Sequence, residues 1–422
     1  MLAERGEEVI GADAGAPAGA DGLTDVRVEV HLDSDGTALV DRARTVVKSP
    51  GVPSEAPVIG LARERGLEVV GELELSWRLV PAEVVAVTGT NGKTTTCELL
   101  GAIHRAAGVE VDVVGNVGTP LAALAGSAGV GRSLVVCECS SFQLEDSSAF
   151  APECAVLLNI EEDHLDRHGT LAAYREAKLR VFSNQRPGDV AALPLALAPD
   201  RRVPDGAGGE AGVVTFGGAG ADLERSGGEL RFRGDRLMAV ADVRLRGEHN
   251  VENAMAAAAA ALARGIAPAA VTDALARFPG VAHRLEEVAT RDGVMYVNDS
   301  KATNVASARV GIGAFEGGVH AILGGSLKGG GFEALRDVVR ERCRACYLIG
   351  EAADRLTEDL GGTVPLARSG DLERAVAEAG AAVCPGDVVL LSPACASFDQ
   401  YRDYEARGEH FRALALAAAG AA

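Results

Sequence analysis

The segment Gly89-Thr90-Asn91-Gly92-Lys93-Thr94-Thr95 stands between a short apolar run, Val84 to Val87, and a stretch of helical period from Thr94 to Ala107. A glycine-bearing turn leading from a strand into a helix aims backbone N–H groups and the positive end of the helix dipole at one point, which makes it a site for an anion. From there the Lys93 ammonium reaches the outer phosphates of a nucleotide, and the Thr94 hydroxyl is offered to Mg2+. The loop departs from the usual GxxxxGK[ST] pattern, because Val87 stands where the first glycine would be. An ordinary strand-to-helix turn is the bland alternative; the Lys-Thr-Thr ending, with both flanks in place, argues against it.

Glu138 ends the next apolar strand, in CECSSFQLE, and so puts a carboxylate at the carboxyl edge of a parallel sheet, where ligands of such folds bind. It reads either as a further contact to Mg2+ or as a solvated strand-end acid. Asn159 to Gly169, NIEEDHLDRHG, packs acids and two histidines into one loop after another apolar strand. A divalent cation or a phosphate explains that density, and a merely solvated loop does not require it. Lys178 lies on the following helix, in YREAKLRVF; alone, a helical lysine is a snorkelling surface residue. Asn250 and Asn253, in GEHNVENA, open an Ala-rich helix at i and i+3. Asn250 is a good N-cap, and both amides are able to read a base edge.

Nearer the C-terminus, His283-Arg284, the run Asn298 to Asn304 (NDSKATN), the loop Gly324 to Gly331 (GGSLKGGG) and the run Ser392 to Asp399 (SPACASFD) all follow or border predicted strands. Strand-end loops are where such folds hold substrate. Each alone reads as a turn. Together, with lysines in two of them, they favour a small anionic ligand.

An alternation of strands and helices carries these groups. Apolar runs at Glu8 to Ile10, Val84 to Val87, Leu134 to Cys137, Ala155 to Asn159, Ala321 to Leu323 and Val388 to Leu391 are separated by Ala/Leu/Arg stretches of helical period. That pattern predicts an α/β chain with mostly parallel sheets. Val203 to Gly234 is glycine-rich with short alternating pieces such as Glu229 to Phe232, and reads as a small antiparallel insertion. Boundaries near Leu79 to Pro81 and near Phe278 to Gly280, where Pro and Gly end a long helix, divide the chain into domains 1–79, 80–279 and 280–422. LAERG reads as the tail of a helix running straight into a strand around Val9. A doubly wound domain normally opens with a strand, a Gly-rich turn and a whole helix, so the expectation is an N-terminal domain without that opening, which handles poorly the diphosphate that such a turn and helix N-terminus receive.

At 422 residues the chain exceeds one hydrophobic core, since single cores stop growing at roughly 200 to 300 residues. A content of 47% hydrophobic and 24% charged residues is globular rather than disordered. The net charge of −19 repels phosphate backbones and argues against nucleic acid as a partner. Cys137, Cys139 and Cys154 lie in apolar runs and read as small core residues, and Cys343 with Cys346 is a lone CxxC, weak as a zinc or redox site. The opening MLAERGEEV has no basic or apolar leader segment, and the run Ala254 to Ala263 is too short to span a bilayer. A cytoplasmic protein without membrane contact is expected.

GTNGKTT, ECSSFQLE, EEDHLDRHG, AKLRVF, GEHNVENA, HRLE, NDSKATN and SPACASFDQ occur in this order. In that the chain resembles the Mur ligases, most narrowly their D-glutamate-adding members, over essentially its whole length from the first strand onward. NDSKATN with SPACASFDQ marks those members; the phosphate loop and DHLDRHG are shared across the family and with folylpolyglutamate synthases. The resemblance implies three domains: a Rossmann-like first domain, a central P-loop ATPase domain and a Rossmann-like last one. It implies an ATP-dependent ligase of peptidoglycan synthesis. The γ-phosphate of ATP passes to the alanyl carboxylate of UDP-N-acetylmuramoyl-L-alanine, the D-glutamate amine attacks the acyl phosphate, and a tetrahedral intermediate expels phosphate. A carboxylate is a poor electrophile until phosphorylated, and two approaching anions require metal and lysine charge between them.

Carried over by position, Gly89, Thr90, Asn91, Gly92, Lys93, Thr94 and Thr95 hold ATP, together with Asn250, Asn253, Arg284 and Asp299. Thr94 and Glu138 serve one Mg2+, and His164 with Lys178 a second, Lys178 being carbamylated. Asn116, Gln143 and His164 lie along the UDP-linked substrate, with Gly51 near its uridine end. Thr303, Lys328, Ser397 and Phe398 surround D-glutamate beside Lys301, which joins Lys93, His164 and Lys178 as a catalytic group. A monomer is implied. Another Mur ligase, a folylpolyglutamate synthase, or a nucleotide-binding homologue without ligase activity are the rival readings; NDSKATN speaks against the first two.

Overall fold

The computed structural model describes residues 2–17, 20, 22–126, 133–198, 209–327, 330–418 and 420. They fall into two compact units, Met1–Val243 with Glu252–Arg277, and Arg244–Val251 with Phe278–Ala422. Among the described residues no helix is long and apolar enough to cross a membrane.

The first unit opens with β1 (Val9–Ala12), β2 (Val28–His31), β3 (Thr45–Lys48) and β4 (Glu68–Gly71), in two separate parallel pairs, β1 with β2 and β3 with β4. Parallel strands are usually buried on both faces, yet no residue of β1 or β2 is buried and β3 buries only Lys48.

β5 (Val84–Thr88), β6 (Val111–Gly115), β7 (Leu134–Glu138), β8 (Cys154–Leu157), β9 (Val190–Pro194), β10 (Gly212–Gly217), β11 (Leu223–Ser226), β12 (Glu229–Phe232) and β13 (Asp235–Ala239) build one larger sheet. Its order is β13-β12-β11-β10-β9-β8-β5-β7-β6. From β10 to β6 every neighbour is parallel. Every residue of β5, β7 and β8 is buried, which is why these strands read as unbroken apolar runs. After β5 the chain travels to the β6 edge, returns beside β5 as β7, and then crosses to its other side as β8. The carboxyl end of β5 is therefore a topological switch point, where α/β sheets open a crevice for ligands.

The expected antiparallel insertion at Val203 to Gly234 is corrected in part. Residues 199–208 lie outside the described ones, and β10 extends the main sheet in parallel register with β9, from Gly212 opposite Val190 to Phe216 opposite Pro194. Only β11 to β13 form an antiparallel meander. Val214, Thr215 and Phe216 are buried, and that burial decides the pairing over the glycine-rich surroundings.

The second unit contains β14 (Glu286–Arg291), β15 (Val294–Asn298), β16 (Val319–Gly324), β17 (Cys343–Ile349), β18 (Leu366–Gly370) and β19 (Val388–Leu391), in the order β14-β15-β19-β16-β17-β18. Only β14 runs antiparallel to its neighbour. Alternate residues of β16 feed two cores. Val319, Ala321 and Leu323 pack with Ala308, Ile312 and Leu356, while Ile322 packs with Leu372, Val376 and Phe411. Helices thus cover both faces, as a parallel sheet requires.

Candidate nucleotide and substrate site

β5 ends at Thr88, and the helix Lys93–Ala106 begins four residues beyond Gly89. Between them Gly92 takes φ +85°, and a Cβ there would collide with the Asn253 side-chain amide. Only glycine allows this turn and this approach together. Lys93 folds back over the loop, its Nζ donating to the Gly89 carbonyl at 2.9 Å and the Thr90 carbonyl at 2.8 Å. The Thr94 hydroxyl donates to Glu138 Oε2 at 2.8 Å. Glu138 is 3% exposed, so the solvated strand-end reading fails. Asn116 reaches its other oxygen at 3.3 Å.

The acid-rich segment is sewn to the same loop. Thr90 N donates to the Asn159 carbonyl at 3.1 Å, Asn91 N to Asn159 Oδ1 at 2.8 Å and Asn91 Nδ2 to Glu161 Oε2 at 3.0 Å. His164 caps the helix Leu165–His168 in a left-handed conformation, φ 51°, with its ring 4.8 Å from that of Phe142. Its side chain is half exposed.

Lys178 overturns the surface reading of a helical lysine. It is 1% exposed, its Nζ donates to the Gly89 carbonyl at 2.7 Å and lies 4.5 Å from the centre of the Tyr174 ring. Burial, with help from the Lys93 charge, pushes its ammonium down to about 7, so a neutral amine is present near pH 7.

Gln143 is 6% exposed, and its Oε1 accepts from Ser140 N at 3.0 Å while the Ser140 hydroxyl accepts from Gln143 N at 3.2 Å. This is a capping box on the helix Ser141–Glu145, a pattern the S-x-x-Q spacing announces and the sequence reading passed over. Gly51 lies in the turn after β3, with open space where a Cβ would stand.

Asn250 is not an N-cap. The helix already begins at Glu248, the Gly247 carbonyl accepts from Asn250 N and Val251 N, and Asn250 Nδ2 donates to the Arg246 carbonyl at 2.8 Å.

In the second unit Asp299 directly follows β15, opens the turn beyond it and is buried. Its carboxylate accepts from the Ser392 hydroxyl at 2.7 Å and from Leu285 N at 3.2 Å. Burial raises it to about 7 against those two donors and the Arg284 charge. Lys301 Nζ sits 3.8 Å from the centre of the Tyr404 ring. Thr303 N donates to the Lys301 carbonyl at 2.8 Å. Ser397 is buried, and Phe398 is 70% exposed. Lys328 lies outside the described residues.

Two buried residues that sequence reasoning missed anchor loops, one in each unit. Arg407 is 1% exposed and donates to the Ser300 hydroxyl and carbonyl and to the carbonyls of Cys395 and Ala396, at 2.9 to 3.2 Å. Glu74, with a fully buried side chain, accepts from Ala149 N at 2.9 Å, from Ser148 N and from Arg78. No motif marks either.

Among the described residues no three His, Cys, Asp or Glu side chains cluster as a metal site. Thr94 and Glu138 nonetheless present a hydroxyl and a carboxylate oxygen to one point, a donor pair that suits Mg2+ completed by phosphate and water. His164 with an unmodified Lys178 does not suit it, because Mg2+ takes oxygen donors.

Residues 87–261 match the Mur ligase middle domain, and residues 283–395 match the Mur ligase glutamate ligase domain. The UDP-N-acetylmuramoylalanine–D-glutamate ligase of Acidobacterium capsulatum is 42% identical over 95% of this chain and 88% of its own length. The protein of the same name from Pelotomaculum thermopropionicum is 40% identical over 99% and 94%. Among solved structures, the MurF ligase of Thermotoga maritima in complex with ADP superposes with a TM-score of 0.60 at 18% identity, over 90% of this chain and 96% of that one. UDP-N-acetylmuramate-alanine ligase MurC of the same organism gives 0.57 at 19%, over 97% and 94%.

Proposed function

The chain belongs to the Mur ligase family, and we propose that it joins D-glutamate to the alanyl carboxylate of UDP-N-acetylmuramoyl-L-alanine, using ATP, in peptidoglycan synthesis. The observation that carries this is the 42% identity to a ligase of that name over 95% of the chain.

The assignment of roles follows the chemistry of each position. The turn Gly89 to Gly92 and the N-terminus of the next helix receive the ATP phosphates, and Lys93 swings from the Gly89 and Thr90 carbonyls to the γ-phosphate, where negative charge is transferred. Thr94 and Glu138 would hold a Mg2+ ion, which when bound would supply charge neutralisation between phosphate and carboxylate. Lys178, as a carbamate, would turn a nitrogen donor into oxygen donors and with His164 fit a second ion. Asn116, Gln143, His164 and Gly51 are assigned to the UDP-linked substrate. Asn250, Asn253, Arg284 and Asp299 are assigned to ATP; Lys301, Thr303, Lys328, Ser397 and Phe398 are assigned to D-glutamate. We keep the functional division 1–79, 80–279 and 280–422, a cytoplasmic location and a monomeric state as parts of the same proposal.

Phosphate release by the purified protein with ATP, Mg2+ and UDP-N-acetylmuramoyl-L-alanine tests it. Release should require D-glutamate. A better response to meso-diaminopimelate or L-lysine would overturn the reading.

A further inference from the structure

Lys48 ends β3 with its side chain fully buried, an unusual place for an ammonium group. Its Nζ is paired with the Asp146 carboxylate and lies 3.4 Å from Glu145 Oε1. The same Glu145 oxygen receives Arg167, whose guanidinium also donates to the Val52 carbonyl at 2.9 Å. The turn Ser49-Pro50-Gly51 is thereby gripped at both ends, through residue 48 before it and residue 52 after it, by one pair of acids at the end of the helix Ser141–Glu145.

The grip continues toward the acid-rich segment. Arg167 belongs to the short helix that His164 caps, and its guanidinium lies 5.2 Å from the centre of the Phe142 ring, against which His164 also rests. Glu145 Oε2 stands 3.7 Å from His168 Nδ1, and His168 Nε2 is 3.0 Å from the Ser141 hydroxyl. Space for the acid pair is made on β4. Gly71 lies opposite Lys48 in the β3–β4 register, and a Cβ on it would come within 2.8 Å of Asp146 Cβ. Buried ion pairs add little net stability, because desolvation offsets their attraction; what they fix is geometry.

We propose that Lys48 is a positioning residue that locks the Ser49 to Gly51 turn and the His164 segment into one rigid body, so that seating of the UDP-linked substrate on the turn also sets His164. This rests on the assignment of Gly51 and His164 to that substrate.

Steady-state kinetics of Lys48→Met, Lys48→Arg and Gly71→Ala, each checked for a cooperative melt, test it. Lys48→Met and Gly71→Ala should each raise KM for UDP-N-acetylmuramoyl-L-alanine about tenfold or more and leave KM for ATP and D-glutamate within twofold; Lys48→Arg should restore most of the loss. A merely structural defect lowers the active fraction and leaves every KM in place, and that result overturns the proposal. So does failure of all three variants to fold, which would make the cluster a stability element. A parent chain without D-glutamate-dependent phosphate release overturns the functional reading and this inference with it; a parent that ligates beside variants of unchanged KM overturns this inference alone.

Discussion

Lys178 should be carbamylated in the working enzyme, and its surroundings set how that state depends on pH. Carbamylation needs the neutral amine: the nitrogen lone pair attacks the carbon of CO2, a C–O π pair moves onto oxygen, and the nitrogen loses a proton to solvent, leaving a carbamate anion. With the ordinary value of 10.5, roughly three lysines in ten thousand would be neutral at pH 7; at about 7, about half are. Burial beside Lys93 thus raises the reactive form about a thousandfold. At fixed dissolved CO2 the neutral fraction falls from about nine-tenths at pH 8 to about one-tenth at pH 6. The rate at which CO2 reactivates decarbamylated enzyme, which follows the neutral amine, should therefore drop roughly tenfold over that interval. The assay is D-glutamate-dependent phosphate release in CO2-free buffer and after bicarbonate addition, with the carbamate carbon followed by NMR using labelled CO2. Lys178→Ala should lose about two to three orders of magnitude, the loss expected for removing one preorganised charged group, and a short carboxylic acid should restore part of it. Full activity of Lys178→Ala, or equal activity with and without CO2, would refute the reasoning.

Thr94→Val keeps the shape of the side chain but withdraws a donor from the buried Glu138 carboxylate; it should cost about 1.5 to 3 kcal/mol of stability and raise the Mg2+ requirement, read by denaturant titration and metal dependence. Gly92→Ala meets both a left-handed backbone and the Asn253 amide, so ATP affinity measured by calorimetry should fall at least tenfold, and unchanged affinity would contradict the turn geometry. Asp299 is raised from 3.8 to about 7, so the folded state binds the proton more tightly than the unfolded one. Stability is then lost as pH rises from about 4 to about 7 and stays level above. Asp299→Asn should remove that slope, by up to about 2.6 kcal/mol between pH 5 and 8, in urea melts compared with the parent chain.

The turn from Gly89 to Gly92 was legible because its signals are local: glycines, a lysine and a hydroxyl adjoin in sequence, between a strand and a helix that announce themselves. The parallel sheets were legible for a related reason, since strands such as β5 and β7 are buried on both faces and carry no polar interruption. What escaped depends on distant partners. Lys178 looks like any surface lysine until the Gly89 carbonyl, 89 positions away, is found at its tip. The pairing of β10 with β9 was hidden by glycine-rich flanks, and Asn250 was misplaced because Gly247 lets the helix start earlier. Arg407 binds mainly backbone groups and Glu74 takes two of its donors from the backbone, and such groups leave no trace in the partner's residue type.

That last property bears on how the second unit tolerates change over generations. Arg407 grips its two loops chiefly by main-chain oxygens, at Ser300, Cys395 and Ala396, and every residue type offers such an oxygen. Side chains at 395 and 396 are therefore at liberty to drift, within the space available, without loosening the clamp, whereas lysine at 407 could not replace a planar fork that reaches several carbonyls at once. Constraint is concentrated on one arginine of the helix Tyr404–Ala418 and lifted from the loops it holds. Substitutions accumulating in this unit should therefore reach those loops first and the arginine last.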